Sequence, residues 1–282
     1  MRILEYNVLT DGFRGQLYDP ENRTDKVIIV FMGGEGKYIS AGLLAEKFAE
    51  KGYAALALYY WKGTDLPRFL NLVPLDMVEK AIAALKLYNN NQFRKMSTYG
   101  ISMGSILALM AGAVFKEISA VIAVSPTYII PEGFITKTRC SGESFLTYHG
   151  KPYDFTPIVN SFSMYTSFSN AYRSTHKVVI PVEQITGNVL LIAGKRDRAW
   201  PSSTSVNELG RRIKASGRKS HVITRIYEKA GHFIGVTPDI NKHKLLHFVR
   251  ISSSNELFHP KACLKARNQS ETDAFEFLKK YW

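Results

Sequence analysis

A serine flanked by glycines is the first feature of this sequence that could take part in a chemical reaction. The run Gly100-Ile101-Ser102-Met103-Gly104 fits the pattern G-x-S-x-G, which a chain of this length contains by chance about one time in ten. Its surroundings are more specific, because the strand-like MSTYGI leads into the serine and the helix-like SILALMAGAVF follows it. A sharp strand–turn–helix exposes a nucleophilic hydroxyl, and flanking glycines avoid clashes there. We therefore predict that Ser102 is a nucleophile.

A serine hydroxyl needs a base to accept its proton, and His232 has the most suitable setting. It lies in KAGHF, just after a strand-like run that ends at Tyr227, where a loop could carry it over the sheet edge to Ser102. The remaining histidines lack this post-strand Gly-His setting and are interpreted as ordinary surface or core residues: His149, His176, His221, His243, His247 and His259. We predict that His232 is the general base.

The acid that orients the histidine should lie between the serine and the histidine in the chain. Asp197 follows the strand-like VLLIA, at a carboxyl end of the kind where catalytic groups of open α/β sheets gather. Asp154 is the only other aspartate in this interval, and it lies in an irregular stretch. Because Arg196 and Arg198 flank Asp197, the alternative interpretation is a solvated turn residue. Asp197 is the predicted acid.

A tetrahedral oxyanion needs preorganised hydrogen-bond donors. The backbone N–H of Met103, the residue after the nucleophile, is one predicted donor. The second should come from the glycine-rich loop MGGEG after the strand-like VIIVF, with Gly34 as first choice and Glu35 as second. A glycine cluster alone is more often a plain turn. A function is favoured here because the cluster follows a strand and lies upstream of the strand–turn–helix that carries Ser102.

Short apolar runs alternate with helical segments through most of the chain, which is typical of parallel strands joined by crossover helices. A helix that Gly52 ends, a helix over Leu75–Tyr88 and a helix after Ser102 are predicted, with further helices from Ser205 and from near Ser270. The predicted strands are Val27–Phe31, Tyr53–Tyr60, Met96–Ile101, Ala120–Val124, Val189–Ala193 and His221–Tyr227. Residues 1–282 are therefore expected to form one α/β domain.

The alternation stops between residues 127 and 187, where Ser, Thr, Tyr, Pro and Gly are frequent and no period is clear. Irregular loops of this length are uncommon in compact domains unless they have a function. We predict an insertion that crosses the active site as a cap or lid. A partly ordered surface excursion is the alternative.

Composition excludes several classes of protein. With 45% hydrophobic and 22% charged residues the chain is globular. The net charge of +13 favours anionic partners in general, but the basic residues are scattered and no nucleic-acid motif occurs, so nucleic-acid binding is not expected. Cys140 and Cys263 lie far apart and indicate neither a disulfide framework nor a zinc site, and no metal or cofactor is predicted. Without a signal-peptide pattern or a membrane span, a cytoplasmic location is predicted.

Four segments of the sequence resemble the catalytic domain of one known family. They are WKGTDLPRFLNLVPLDMVEKAIAAL, YGISMGSILALMA, IPVEQITGNVLLIAGKRDRAWPS and YEKAGHFI. These segments are similar to the acyl-CoA thioesterases and bile acid-CoA:amino acid N-acyltransferases, and the first and third are the most specific. The resemblance runs from about Val27 to Ile234.

The resemblance implies an α/β-hydrolase fold, with a mostly parallel sheet covered by helices on both faces. It also implies a serine or cysteine nucleophile with Asp and His, matched here by Ser102, Asp197 and His232. Members with serine are mostly hydrolases of acyl-CoA thioesters, whereas those that transfer acyl groups to amino acids use cysteine. Ser102 therefore favours hydrolysis of a small-molecule acyl-CoA or carboxylic ester through an acyl-enzyme. The alternatives are acyl transfer to an amine or alcohol, and a non-catalytic binding protein of the same fold.

Eukaryotic members of this family carry an N-terminal β-sandwich domain before the catalytic domain. Only residues 1–26 precede the resemblance here, and their runs ILEYNVL and GQLYD could form at most an edge hairpin. The β-sandwich domain is therefore expected to be missing from this sequence. For this reason, simple esters remain candidate substrates together with acyl-CoA.

Overall fold

A central β-sheet organises the protein in a computed structural model that describes residues 1–34, 38–136, 139–159, 163–235 and 254–282. In chain order, the strands are β1 (Arg2–Tyr6), β2 (Arg14–Asp19), β3 (Lys26–Phe31), β4 (Ala54–Tyr59), β5 (Val73–Pro74), β6 (Lys95–Ile101), β7 (Ile118–Val124), β8 (Glu132–Thr136), β9 (Arg139–Ser144), β10 (Leu146–Tyr148), β11 (Lys151–Pro152), β12 (Asn188–Gly194) and β13 (Val222–Tyr227). The eight-stranded sheet has the order β1-β2-β4-β3-β6-β7-β12-β13. From β4 to β13 all neighbours in this order are parallel, which confirms the predicted mostly parallel sheet.

Helices connect these strands. They are α1 (Val8–Asp11), α2 (Tyr38–Glu50), α3 (Asp76–Leu87), α4 (Met103–Val114), α5 (Met164–Arg173), α6 (Ser202–Ala215), α7 (Ser254–Phe258) and α8 (Pro260–Tyr281). The predicted helix over Leu75–Tyr88 and the helix after Ser102 are confirmed as α3 and α4. Gly52, at φ +86°, ends the turn after α2 as predicted, because a left-handed backbone suits glycine.

Two predicted helix starts are wrong. The helix expected from Ser205 begins three positions earlier as α6, because Pro201 occupies the cap position and the Ser205 hydroxyl donates to the Pro201 carbonyl inside the first turn. The helix expected from near Ser270 begins at Pro260 as α8. A charged residue, Arg267, lies on the buried face of this helix and interrupts the apolar pattern by which helices are predicted.

The sheet is buried on both faces because its strands alternate their side chains between two apolar layers. On β3, Val27, Ile29 and Phe31 belong to an apolar cluster that also contains residues of α3, α4 and α6, whereas Ile28 and Val30 belong to a second cluster with residues of α2 and α8. Both layers are closed to solvent at these positions. The near-continuous apolar run VIIVF is therefore the sequence signal of a strand with a helix layer on each side.

The N-terminal residues form a hairpin at one edge of the sheet. β1 pairs antiparallel with β2, and β2 pairs antiparallel with β4. The short helix α1 joins the two strands, and its N-cap Asn7 accepts a hydrogen bond from the backbone N–H of Thr10 at 3.1 Å. This arrangement confirms the expected edge hairpin.

The segment 127–187 contains short strands and a helix that share the core on the α4 side of the sheet. Residues along its length are buried, among them Ile129, Phe145, Phe168 and Ile180. A small sheet ties it to the segment before α3, because β10 pairs parallel with β5 and antiparallel with β11. The segment lacked a clear period in the sequence because its strands and helix are too short to show a periodic apolar pattern.

No helix within the described parts of the chain combines the length and the apolar character that crossing a bilayer requires.

Candidate active site

Ser102 lies at the turn between β6 and α4, at the carboxyl edge of the sheet. Its backbone has φ 57° and ψ −124°, a region that costs a non-glycine residue about 1–3 kcal/mol. A hydrogen bond from the Ser102 N–H to the Val124 carbonyl, at 3.0 Å, supports this conformation. The serine is only half-buried, so its hydroxyl is accessible.

The two glycines of the motif are required by close backbone approach. A Cβ on Gly100 would lie 2.2 Å from the Gly104 carbonyl oxygen, and a Cβ on Gly104 would lie 2.3 Å from the Met32 carbonyl oxygen. Real Cβ atoms do not approach backbone so closely, so a side chain at either position would force β3, β6 and α4 apart. The spacing G-x-S-x-G is therefore a packing requirement of this turn.

The structure brings Ser102, His232 and Asp197 together from the ends of three strands. His232 Nε2 lies 2.8 Å from Ser102 Oγ, and His232 Nδ1 lies 2.8 Å from Asp197 Oδ2. His232 and Asp197 are 8% and 4% exposed, so their contact is shielded from water, whereas the contact to Ser102 is partly buried. Nδ1 faces a carboxylate oxygen and Nε2 faces the serine hydroxyl, so the geometry suits a hydrogen bond donated by Nδ1 and one accepted by Nε2.

Asp197 is held by the loop between β12 and α6. Its Oδ1 accepts hydrogen bonds from the backbone N–H of Ala199 at 2.8 Å and of Trp200 at 3.2 Å. These bonds satisfy one oxygen and turn the other toward His232. The alternative candidate, Asp154, is exposed in the insertion. The neighbouring Arg196 is also exposed, and its guanidinium contacts His259 rather than the Asp197 carboxylate.

The residues predicted as oxyanion donors lie next to one another where the structure describes them. Met103 is the first residue of α4, and a Cβ on Gly34 would lie 3.8 Å from Met103 Cγ and 3.2 Å from Leu70 Cδ1. The Tyr60 hydroxyl donates to the carbonyls of Met32 and Gly33 and so anchors the loop that carries Gly34. Glu35, the second choice, lies outside the described residues.

Sequence reasoning missed two residues that contact His232. Trp200 packs its indole against the imidazole in a T-shaped arrangement, with ring centroids 4.7 Å apart and an interplanar angle of 82°. Ser125, at the end of β7, donates its hydroxyl to the His232 backbone carbonyl at 2.7 Å. A serine after a strand is too common to be noticed in a sequence, whereas the tryptophan three residues after the acid was a signal that could have been used.

Within the described ranges, one group of side chains has a metal-like arrangement. The ligand atoms of Asp76, Glu79 and His149 all lie within 4.8 Å of one another, and none of these residues belongs to the triad. These residues also bind neighbouring groups, because Asp76 accepts from the His149 backbone N–H and Glu79 accepts from the Tyr148 hydroxyl. Exposed groups of this kind are common without an ion, and we assign no metal to them.

A cavity of about 560 Å³ lies between the insertion and α6, and its lining contains none of the three triad residues. Four of its charged side chains form two pairs, because Arg212 binds Glu183 through two contacts and Arg211 binds Glu208 through two contacts. The fifth, Lys177, donates to the backbone carbonyls of Tyr172 and Ser174. The cavity is thus separate from the cluster around Ser102.

Residues 73–250 match the family described as BAAT / Acyl-CoA thioester hydrolase C terminal, which is more than half of the chain. The protein belongs to this family. Family membership agrees with the resemblance that the four sequence segments indicated.

The matches with individual relatives cover only part of each relative's length. Human acyl-coenzyme A thioesterase 1 is 28% identical over 235 residues, which are 78% of this chain and 52% of the relative. Mouse bile acid-CoA:amino acid N-acyltransferase is 27% identical over 243 residues, which are 82% of this chain and 54% of the relative. The chain thus spans about half the length of the curated relatives it matches.

Among solved structures, the esterase Pf2001 of Pyrococcus furiosus superposes with a TM-score of 0.53 at 20% identity, covering 78% of this chain and 79% of the esterase. At this identity the likeness concerns the fold alone. The predicted α/β-hydrolase fold is confirmed, with Ser102 after β6, Asp197 after β12 and His232 after β13.

Proposed function

We propose that this protein hydrolyses acyl thioesters of the acyl-CoA type, or carboxylic esters, with Ser102 as nucleophile, His232 as general base and Asp197 as the orienting acid. One observation carries the proposal. The hydroxyl, the imidazole and the carboxylate form a continuous chain of two 2.8 Å contacts at the carboxyl edge of the sheet. This geometry fits proton transfer from the serine to the histidine during attack on a carbonyl.

The reaction divides into acylation and deacylation. As Ser102 Oγ attacks the carbonyl carbon, its proton moves to His232 Nε2, and the imidazolium is stabilised by Asp197. The oxyanion would accept hydrogen bonds from the backbone N–H groups of Met103 and the Gly34 loop. His232 then protonates the departing thiolate or alkoxide, activates a water molecule against the acyl-serine, and returns the proton to Ser102.

The substrate class rests on the family. The relatives include acyl-coenzyme A thioesterases, and the net charge of +13 favours a leaving group that carries phosphates. Because an exposed basic surface also serves solubility, the charge alone does not separate thioesters from neutral esters. We propose acyl-CoA as the preferred substrate and carboxylic esters as competing ones.

Acyl transfer is the second candidate function, and the mouse N-acyltransferase among the relatives supports it. Both functions share the acyl-enzyme and differ only in what attacks it. A serine nucleophile is the feature that favours water, since the transferring members of this family use cysteine. Hydrolysis and acyl transfer therefore give different products, and product analysis distinguishes the two functions.

We further propose that the segment 127–187 is a cap over the site. Phe168 of this segment packs on Trp200 with ring centroids 4.9 Å apart. Phe134 forms a bridge with Leu70, which lies beside Gly34. These contacts support a role in shaping the acyl-binding side of the site. The cytoplasmic location stays a prediction.

The function is tested with the purified protein on acyl-CoAs of several chain lengths and on p-nitrophenyl esters, with and without amine and alcohol acceptors. We expect acceptor-independent release of free acid and of coenzyme A, and loss of both activities in Ser102→Ala. An unchanged rate in Ser102→Ala would refute the mechanism, and acyl-acceptor products would favour transfer. Failure of a fluorophosphonate to label the folded protein at Ser102 would favour the non-catalytic alternative.

A further inference from the structure

A strained serine directly after β7 requires an explanation. Ser125 has φ +48° and is fully buried, although a side chain in the left-handed region is unfavourable and glycine adopts it freely. Its N–H donates to the Ile192 carbonyl at 2.7 Å, which needs only a backbone. The side chain is therefore needed for something that glycine could not supply.

The hydroxyl of Ser125 forms a hydrogen bond with the loop that carries His232. It donates to the backbone carbonyl of His232 at 2.7 Å, across 107 positions of the sequence. The bond fixes the peptide that carries the imidazole to the end of β7, immediately beside Val124, whose carbonyl accepts the N–H of Ser102. The serine turn and the histidine loop are thus tied to adjacent residues of one strand.

Trp200 contacts the same histidine through its imidazole ring. The indole packs against the imidazole of His232 in a T-shaped arrangement, and the indole Nε1–H donates to the carbonyls of Ser125 and Pro126 at 3.1 Å each. The backbone N–H of Trp200 donates to Asp197 Oδ1. One buried residue therefore contacts the acid, the imidazole and the residue that anchors the histidine backbone.

We propose that Ser125 and Trp200 are positioning residues that together clamp His232, Ser125 through its backbone and Trp200 through its ring. The inference rests on the proposed function. A base that must hold both Ser102 and Asp197 at hydrogen-bond distance tolerates little rotation, and misplacement by about 1 Å can cost about a hundredfold in rate. Because neither residue reaches the nucleophile, loosening the clamp should lower kcat and leave KM nearly unchanged.

The test compares two variants that lose the same hydroxyl. Ser125→Ala keeps the strained backbone, whereas Ser125→Gly relieves it, so the glycine variant should have the higher thermal midpoint of the two. We expect kcat to fall about tenfold in both, with KM within about twofold of the parent protein. If the role were only structural, activity would follow stability and the glycine variant would recover kcat.

Trp200→Phe tests the other half of the clamp, because it keeps an aromatic ring and removes the Nε1–H donor. A similar loss of kcat is expected, together with a slower rate of fluorophosphonate labelling at Ser102. The matched control is Ser119→Ala, on the same strand β7, whose hydroxyl donates to the Met96 carbonyl at 3.2 Å far from His232. This control should keep kcat.

The outcomes separate this inference from the proposed function. If Ser102→Ala is inactive while Ser125→Gly and Trp200→Phe keep kcat within about twofold of the parent, the clamp is overturned and the hydrolase stands. If Ser102→Ala keeps full activity, both are overturned. A rise in KM with unchanged kcat in either clamp variant would also overturn the positioning role, because it would indicate substrate contact instead.

Discussion

At the scale of single residues, the site depends on which hydrogen-bonding group each side chain offers. Asp197 presents one oxygen to two backbone N–H groups and the other to His232, and it is 4% exposed. A buried carboxylate that only accepts bonds fixes the tautomer of the imidazole. Because the role of Asp197 depends on a single acceptor oxygen, it can be tested by a substitution that keeps the shape of the side chain.

Asp197→Asn should lower kcat by about a thousandfold or more while the protein stays folded. The amide NH₂ can donate to His232 Nδ1, which favours the tautomer with the proton on Nε2, and Nε2 then cannot accept from Ser102. Steady-state hydrolysis of an acyl-CoA measures the loss. The control is Asp154→Asn, at the exposed aspartate of the insertion, which should act like the parent protein. Equal losses in the two variants would contradict the role of Asp197.

Both cysteines are expected to be unreactive in the native protein. Burial raises the pKa of Cys140 and of Cys263 to about 11, with smaller contributions from the nearby Glu132 and Glu256 carboxylates. At pH 8 a raised pKa leaves about one thiolate in a thousand. Iodoacetamide should therefore leave hydrolysis intact while a fluorophosphonate abolishes it. Inactivation by iodoacetamide that substrate protects against would contradict this expectation.

At the scale of elements, the C-terminal helices are joined by a charge pair that is cut off from solvent. Arg267 of α8 lies 2.8 Å from Glu256 of α7, and both side chains are 3% exposed. Such a pair contributes little net stability compared with apolar packing, but loss of one partner leaves an unpaired buried charge. The same pair explains why half of α8 escaped prediction.

Arg267→Met should lower the free energy of unfolding by about 3–5 kcal/mol, because Glu256 would remain buried without its counterion. Chemical denaturation monitored by circular dichroism measures the change. The control is Lys86→Met, which removes a surface pair with Glu117 whose side chains are 54% and 35% exposed, and which should cost about 0–1 kcal/mol. The double variant Arg267→Met/Glu256→Gln should recover part of the loss. Equal costs in the single variant and the control would contradict the analysis.

At the scale of the whole molecule, two features support the proposed substrate class and binding side: the net charge of +13 and the packing of Phe168 of the segment 127–187 on Trp200. Charge acts at long range and does not depend on a single contact. Its effect should therefore differ between substrates that carry phosphates and substrates that do not.

The rate constant kcat/KM for an acyl-CoA should fall several-fold between about 0.02 M and about 0.3 M NaCl, because salt screens the attraction between a cationic protein and an anionic substrate. Hydrolysis of a neutral p-nitrophenyl ester serves as the control and should change little. Equal salt dependence for both substrates would indicate that the positive charge serves solubility rather than catalysis.

The fold and the proximity of the three predicted site residues were largely predictable because their signals are local. Ser102, Asp197 and His232 each follow a strand and occur in the required chain order, and strands with buried faces are visible as apolar runs. The starts of α6 and α8 were missed although Pro201 and Pro260 mark them, because capping-box spacing favoured Ser205 and the buried Arg267 interrupts the apolar pattern of α8.

The sequence by itself indicated the alternation of strands and helices, the residue types at three strand ends and therefore the class of chemistry. Only the tertiary structure decided that Ser125 and Trp200 contact His232 and that the insertion packs on Trp200. The physical reason is separation along the chain. Ser125 and His232 are 107 positions apart, so their hydrogen bond depends on the register of the parallel strands between them. That register arises from packing of the whole sheet and has no local signal.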